Sequence, residues 1–158
     1  MAKDLLINLK RIHEKPILLD AELTPLEMEL EHPDFVFSHP VFVHASVQII
    51  ASEILVEGKI QFQLNTECAR CLEPMTKKIT VGSLLFSYEY HDQDFLDITP
   101  DIRDELYLNL PTRILCSESC RGLCPVCRKN LNKEHCLCSD RNDSSPFTRL
   151  DFDLKLDK

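Results

Sequence analysis

Residues 115–138, LCSESCRGLCPVCRKNLNKEHCLC, constrain this chain more than any other stretch, because six of its eight cysteines fall there: Cys116, Cys120, Cys124, Cys127, Cys136 and Cys138. The other two, Cys68 and Cys71, make a second close pair. Thiols at such density become metal thiolates, disulfides or redox centres, and the spacing favours metal. In Cys124-Pro125-Val126-Cys127 the short gap lets both thiolates face one ion at roughly 2.3 Å, while the intervening backbone N–H groups turn toward the sulfurs. Cys136 and Cys138 are the nearest candidates for the remaining two positions, although their gap is tighter than is usual. Cys116 and Cys120 could close a second tetrad with Cys68 and Cys71. Zinc is the expected ion, but the pairing and the number of ions stay open. One ion with four spare thiols, or His135 in place of a sulfur, satisfies the same spacing.

Other fates of the cysteines fit less well. No apolar run follows the charged start MAKDLLINLKR, so the expectation is a cytoplasmic chain without a secretory signal, where disulfides are disfavoured. A thioredoxin-like Cys-x-x-Cys would open a helix after a strand in a βαβ unit, and the pattern offers no such unit. The spacings match neither ferredoxin arrangement, which leaves an iron–sulfur cluster as the minor metal option. A catalytic zinc would need an open position and a general base. No carboxylate and histidine constellation accompanies the cysteines, so no catalytic residue is assigned and no enzymatic activity is expected.

The 158 residues suit one domain, 1–158, with 115–138 as a Cys-rich metal-binding subregion. A chain of this size buries about 68–70% of its unfolded surface, so its core does not depend on metal. The apolar fraction of 44% and charged fraction of 28% are those of a soluble globular protein. No segment approaches the ~20 apolar residues of a membrane span, and neither a membrane nor a small-molecule substrate is expected as a partner. A net charge of −8 argues against a generalised grip on phosphate, so any nucleic-acid contact must be local. Between residues 113 and 133 five basic residues, Arg113, Arg121, Arg128, Lys129 and Lys133, oppose Glu118 alone, a local balance of +4. Arg121, Arg128, Lys129 and Lys133 are therefore the candidate RNA-binding side chains. The competing explanation is that the same cations offset the negative charge that four thiolates leave on a zinc ion.

The rest of the chain reads as mostly strand. Val56, Gly58, Ile60, Phe62, Leu64, Thr66 and Cys68 alternate with polar residues, so one face is buried and one wet. Residues 41–55 read as antiparallel neighbours with a break near Ala51-Ser52-Glu53, and residues 77–90 as the returning strand, with a bulge at Leu84-Leu85. Cys68 and Cys71 then lie on the turn between two strands. Residues 4–9 and 17–19 read as weak strands. The segment TPLEMELEHPDF is ambiguous between a short helix capped by Thr24 and a strand. The acidic stretch HDQDFLDIT reads as a solvated loop, followed by a cap at Thr99 and a short helix or extended segment through Ile102, Leu106 and Leu110 to Pro111. Phe147, Leu150, Phe152, Leu154 and Leu156 could anchor the tail. The fold class expected is α+β, predominantly β: an antiparallel meander sheet or partial barrel with few short helices and a Cys-rich zinc-binding loop.

These residues also resemble a known family. The turn Cys68-Ala69-Arg70-Cys71-Leu72 before Glu73-Pro74, then Leu110-Pro111, then Cys120-Arg121-Gly122-Leu123-Cys124-Pro125-x-Cys127, Asn130-Leu131-Asn132, Cys136-x-Cys138 and Pro146-Phe147-x-x-Leu150, together resemble the YceD family of large ribosomal RNA subunit accumulation proteins. The likeness covers roughly residues 46–150 by layout. It implies a non-enzymatic bacterial or organellar factor supporting the synthesis, processing or accumulation of large-subunit rRNA. The partner would be that rRNA itself or, alternatively, a ribosomal or rRNA-processing protein contacted by an adaptor that never touches RNA. Arg128 stands where many relatives carry glycine, and a left-handed turn there would strain an arginine. Oligomeric state is left open.

Overall fold

The computed structural model describes residues 5–12 and 15–138. In chain order these form β1 (Leu6–Asn8), a 3-10 turn (Leu9–Arg11), β2 (Ile17–Leu23), β3 (Val41–Ile50), β4 (Glu53–Glu67), β5 (Pro74–Glu89), β6 (Phe95–Asp97) and α1 (Thr99–Leu108). β2, β3, β4 and β5 make an antiparallel meander in that order, and β1 pairs antiparallel with β6 as a separate ribbon. The sheets are not closed into a barrel: β2 and β5 are edges of the four-stranded sheet.

The alternation from Val56 to Cys68 lies in β4 and the turn after it, with Val56, Ile60, Phe62, Leu64 and Cys68 buried. Val41, Val43, Ala45 and Val47 of β3 and Ala21 and Leu23 of β2 extend the same inner face. Ile98, Ile102 and Leu106 of the α1 region, with Leu5, Ile7, Leu9, Met28 and Leu30, complete one continuous core with it. Tyr88 of β5 ties the helix down by donating its phenolic O–H to Asp101 at 2.8 Å. No described helix is long and apolar enough to cross a membrane.

The strand register explains one glycine and corrects one expectation. Gly58 pairs with Ala45, and a Cβ at 58 would lie 2.3 Å from the His44 carbonyl oxygen, so only glycine lets β3 and β4 approach there. The β4–β5 register shifts between Gly58↔Leu84 and Ile60↔Val81, which leaves Gly82 and Ser83 opposite Lys59. The bulge therefore precedes Leu84-Leu85, and the extra residue is what returns Leu84 to the buried face.

Three short segments differ from their sequence reading. The ambiguous TPLEMELEHPDF is a single capped turn: the Thr24 N–H donates to Glu27 Oε2 at 2.8 Å and the Glu27 N–H to Thr24 Oγ1 at 3.3 Å, a reciprocal box. Glu29, at φ 52°, ends it before a helix can propagate. The acidic stretch is not all loop, because Phe95–Asp97 is β6 and pairs with β1. Thr99 is not the helix cap. Ile98 holds that position, Asp97 Oδ1 accepts the Thr99 N–H at 2.9 Å, and Thr99 Oγ1 is buried without a partner among the described residues. The helix stops at Leu108, where the Asn109 side-chain amide donates to the Glu105 carbonyl at 2.8 Å, short of Leu110. The tail anchors and the motif at Pro146-Phe147 lie outside the described residues.

Candidate metal centre

The two Cys-x-x-Cys turns share one backbone construction. In the first, on the β4–β5 connection, the Cys68 N–H donates to the Glu73 carbonyl and the Leu72 N–H to the Cys68 carbonyl, both at 2.9 Å. In the second, the Cys124 N–H donates to the Lys129 carbonyl at 2.8 Å and the Arg128 N–H to the Cys124 carbonyl at 2.9 Å. The residue after the second cysteine is left-handed in each, Leu72 at φ 58° and Arg128 at φ 58°. The strain foreseen for Arg128 is thus present, and Leu72 carries the same strain unforeseen.

This construction aims backbone N–H groups at the first sulfur of each turn, as a metal knuckle requires. The Val126 and Cys127 N–H groups lie 3.4 and 3.5 Å from Cys124 Sγ, and the Cys116 N–H lies 3.3 Å from Cys68 Sγ. These donors favour thiolate. Those of Cys71 and Arg70 bring the Cys68 thiol down to about 6, and those of Cys127 and Val126 bring Cys124 down to about 6. Cys116 is pushed up to about 12, chiefly by the neighbouring sulfurs of Cys120 and Cys71. Each further ionisation in such a group opposes a charge already present, so a shared cation is what allows all four sulfurs to be thiolates together.

The eight sulfurs gather into two groups, Cys68 with Cys71, Cys116 and Cys120, and Cys124 with Cys127, Cys136 and Cys138; within each, all ligand atoms lie within 4.8 Å of one another. The closest approaches are 3.7 Å for Cys68–Cys120 and 3.6 Å for Cys71–Cys116 in the first group, and 3.4 Å for Cys127–Cys136 and 3.3 Å for Cys124–Cys136 in the second. A tetrahedron of sulfurs around an ion at 2.3 Å has an edge of about 3.8 Å, whereas a disulfide needs about 2.05 Å. All eight cysteines are free. Each group could hold a metal ion. His135 is exposed and belongs to neither. The first group is the more buried, with Cys68, Cys71 and Cys120 packed beneath Met75, Leu115 and Leu123.

Polar side chains that spacing did not single out clasp the two groups together. Asn132 Nδ2 donates to Cys120 Sγ at 3.3 Å while its Oδ1 accepts the Arg121 N–H at 2.8 Å. Asn130 Nδ2 and Lys133 Nζ both donate to Glu73 Oε1, at 3.1 and 2.7 Å. Arg70 Nη1 donates to the Cys120 carbonyl at 2.9 Å, and Gly122, at φ 73°, passes so close that a Cβ would sit 3.2 Å from the Arg70 carbonyl oxygen. Arg70, Glu73, Gly122, Asn130 and Asn132 all stand in the motifs quoted from the sequence, but spacing gave none of them this role.

The four basic candidates separate. Lys133 is paired with Glu73 at 2.7 Å and Lys129 with Glu134 at 3.3 Å. Both ammonium groups are held above their usual range, first by those carboxylates, with Cys71 adding for Lys133 and Cys127 and Cys136 for Lys129. Arg121 and Arg128 are exposed and have no carboxylate within 4.0 Å among the described residues.

The family model described as large ribosomal RNA subunit accumulation protein YceD matches residues 86–153, which include six of the eight cysteines. An uncharacterized protein of Mycobacterium tuberculosis is 31% identical over 103 residues, 56% of this chain and 50% of its own length. One from Mycobacterium leprae is 27% identical over 119 residues, 66% of this chain and 55% of its own. The large ribosomal RNA subunit accumulation protein YCED homolog 1, chloroplastic, of Arabidopsis thaliana is 40% identical over 43 residues, 27% of this chain and 13% of its own. The chain thus spans about half the length of the mycobacterial relatives it matches. No solved structure matches it.

Proposed function

Taking the chain as a member of the YceD family, the assignment that the matched model and the plant relatives support, we propose that it is a non-enzymatic ribosome-biogenesis factor. It supports accumulation of large-subunit rRNA through an RNA-facing surface fixed by two structural zinc ions. The observation that carries the reading is the pair of four-cysteine groups built on twin knuckles, the second inside the segment that the family match covers. All-sulfur tetrads suit zinc without redox chemistry, and closed four-ligand sites leave no position for substrate. In this reading the ions hold the loop against the sheet and Arg121 and Arg128 reach RNA, while Lys129 and Lys133 serve chiefly the thiolates and carboxylates beside them.

Elemental analysis of reduced protein is expected to give about two zinc ions per chain, one per sulfur group. Deletion of the gene is expected to lower large-subunit rRNA relative to small-subunit rRNA, and complementation to restore it. An unchanged ratio would overturn the biogenesis role.

A second reading, an adaptor that docks on a basic ribosomal protein or an RNase, is favoured by one observation. Glu53 and Glu89 sit directly opposite across β4 and β5 with Asp92 close by in sequence, all exposed. His91 Nε2 lies 2.9 Å from Glu89 and the Ser87 hydroxyl donates to Glu53 at 3.0 Å, but no lysine or arginine lies within 4.0 Å of these carboxylates among the described residues. Like charges in that arrangement repel, and a basic partner would relieve them. Pull-downs with and without RNase separate the two, since RNase-resistant capture of a basic protein supports the adaptor.

A further inference from the structure

The β5 edge of the sheet meets the segment that leads from α1 into the first sulfur group, and between them runs a groove of about 300 Å³. Its floor is apolar, formed by Ile79, Pro111 and Ile114, and its rim carries Lys77, Lys78 and Arg113. Nothing in the chain's local pattern joins these cations, since Arg113 lies far from Lys77 and Lys78, which are neighbours on a strand. The backbone joins them: the Ala69 N–H donates to the Ile114 carbonyl at 2.9 Å, which lays the segment carrying Arg113 beside the β4–β5 turn.

All three side chains are exposed, and none has a carboxylate within 4.0 Å among the described residues. Arg121 and Arg128 of the sulfur loop share that freedom, but the other cations nearby do not. Lys129 and Lys133 are already committed to Glu134 and Glu73, and the Arg70 guanidinium to the Cys120 carbonyl. Offsetting the thiolates is a task that Lys129 and Lys133, on the sulfur loop itself, are placed to perform. No such task accounts for the groove. In a chain of net charge −8, three cations without carboxylate partners line this one groove, Lys77 and Lys78 from opposite faces of the edge strand β5 and Arg113 from the segment beside it, and contact with a polyanion demands such a local positive site.

We propose that this groove is a phosphate-binding site for RNA, in which Lys77 and Arg113 contact backbone phosphates along the groove and Lys78 contacts the strand from the other side of the β5 edge, while the apolar floor excludes water beneath a sugar or base. The proposal rests on the RNA reading given above and adds to it the surface that RNA occupies. Contacts of this kind position the nucleic acid and carry little sequence information. Base discrimination is left to the arginines of the adjoining loop.

The test uses the full chain loaded with zinc, large-subunit rRNA fragments as the probe, and a triple variant with Lys77→Gln, Lys78→Gln and Arg113→Gln. All three positions are exposed, so the variant is expected to unfold as the wild type does. A control with Arg11→Gln, Lys15→Gln and Lys59→Gln removes the same charge from exposed positions outside the groove. The triple variant is expected to bind at least tenfold more weakly at low salt, roughly equally across fragments. Its slope of log affinity against log salt should be shallower by about 2, the loss of three phosphate contacts, while the control changes little. Wild-type binding that the groove variant leaves intact, or that both variants weaken alike, overturns the groove and spares the RNA reading. No binding by the wild type overturns both.

Discussion

Leu72 and Arg128 occupy a left-handed backbone region that disfavours L side chains by roughly 1 kcal/mol or more. Both do so because the knuckle, not the side chain, sets the dihedral. Replacement of Arg128 by glycine should relieve that strain and stabilise the metal-bound loop by up to about 1 kcal/mol, seen as a higher chelator concentration for half-loss of zinc; a lower one would show that the arginine makes contacts worth more than the strain. The strain at Arg128 was legible because the Cys-x-x-Cys turn demands that conformation. At Leu72 the same demand went unread, since a leucine after a knuckle attracts no notice until the two turns are compared bond for bond. Gly58 and Gly82 form a sharper pair. Gly58→Ala drives a Cβ into the β3 backbone and is expected to lower stability by about 1–3 kcal/mol. Gly82→Ala meets nothing within 4 Å and should be close to neutral. Urea denaturation of both variants measures the difference.

Among the elements, the long strands were legible because their alternation is uninterrupted, and the β4–β5 turn followed from them. The short ones were not. β6 is held by pairing with β1 from the far end of the described chain, and no local pattern in an acidic stretch announces a partner so distant. Thr99 had the chemistry of a cap, but Asp97 took up its N–H instead. The pairing of the cysteines was open for a similar reason: spacing limits which thiols can share an ion, while the direction of the loop decides. Asn130 ties the loop to Glu73 beside β5, and Asn132 attaches the later part of the loop to Cys120 and Arg121 in the first sulfur group's segment. Asn132→Ala removes a donor to Cys120 Sγ and an acceptor for the Arg121 N–H, and is expected to weaken that attachment by about 1–3 kcal/mol. Hydrogen exchange should show faster exchange across residues 120–133 with the sheet amides unchanged. Equal protection in the variant and the wild type would remove the clasp from the account.

At the scale of the molecule, the apolar core and the sulfur groups are separate bodies that share Met75 at their border. Chelation is therefore expected to release residues 115–138 while β2 to β5 keep their exchange protection, because the inner face of the sheet packs on α1 without help from metal. Collapse of the whole sheet on chelation would contradict this. The same separation explains why composition alone predicted a core independent of zinc, and why it was silent about the groove beside β5, which needs two distant segments to meet. The two sulfur groups also differ in how much chain they enclose. Contacts in the second join residues 9 and 12 apart, whereas those in the first join residues 45 and 52 apart. As the polypeptide leaves the ribosome, Cys68 and Cys71 emerge and wait through the synthesis of β5, β6 and α1 before their partners exist. The second group is complete within one short loop, but the first closes only once Cys120 follows the meander and α1, so an ion bound there would rivet an assembly already in place.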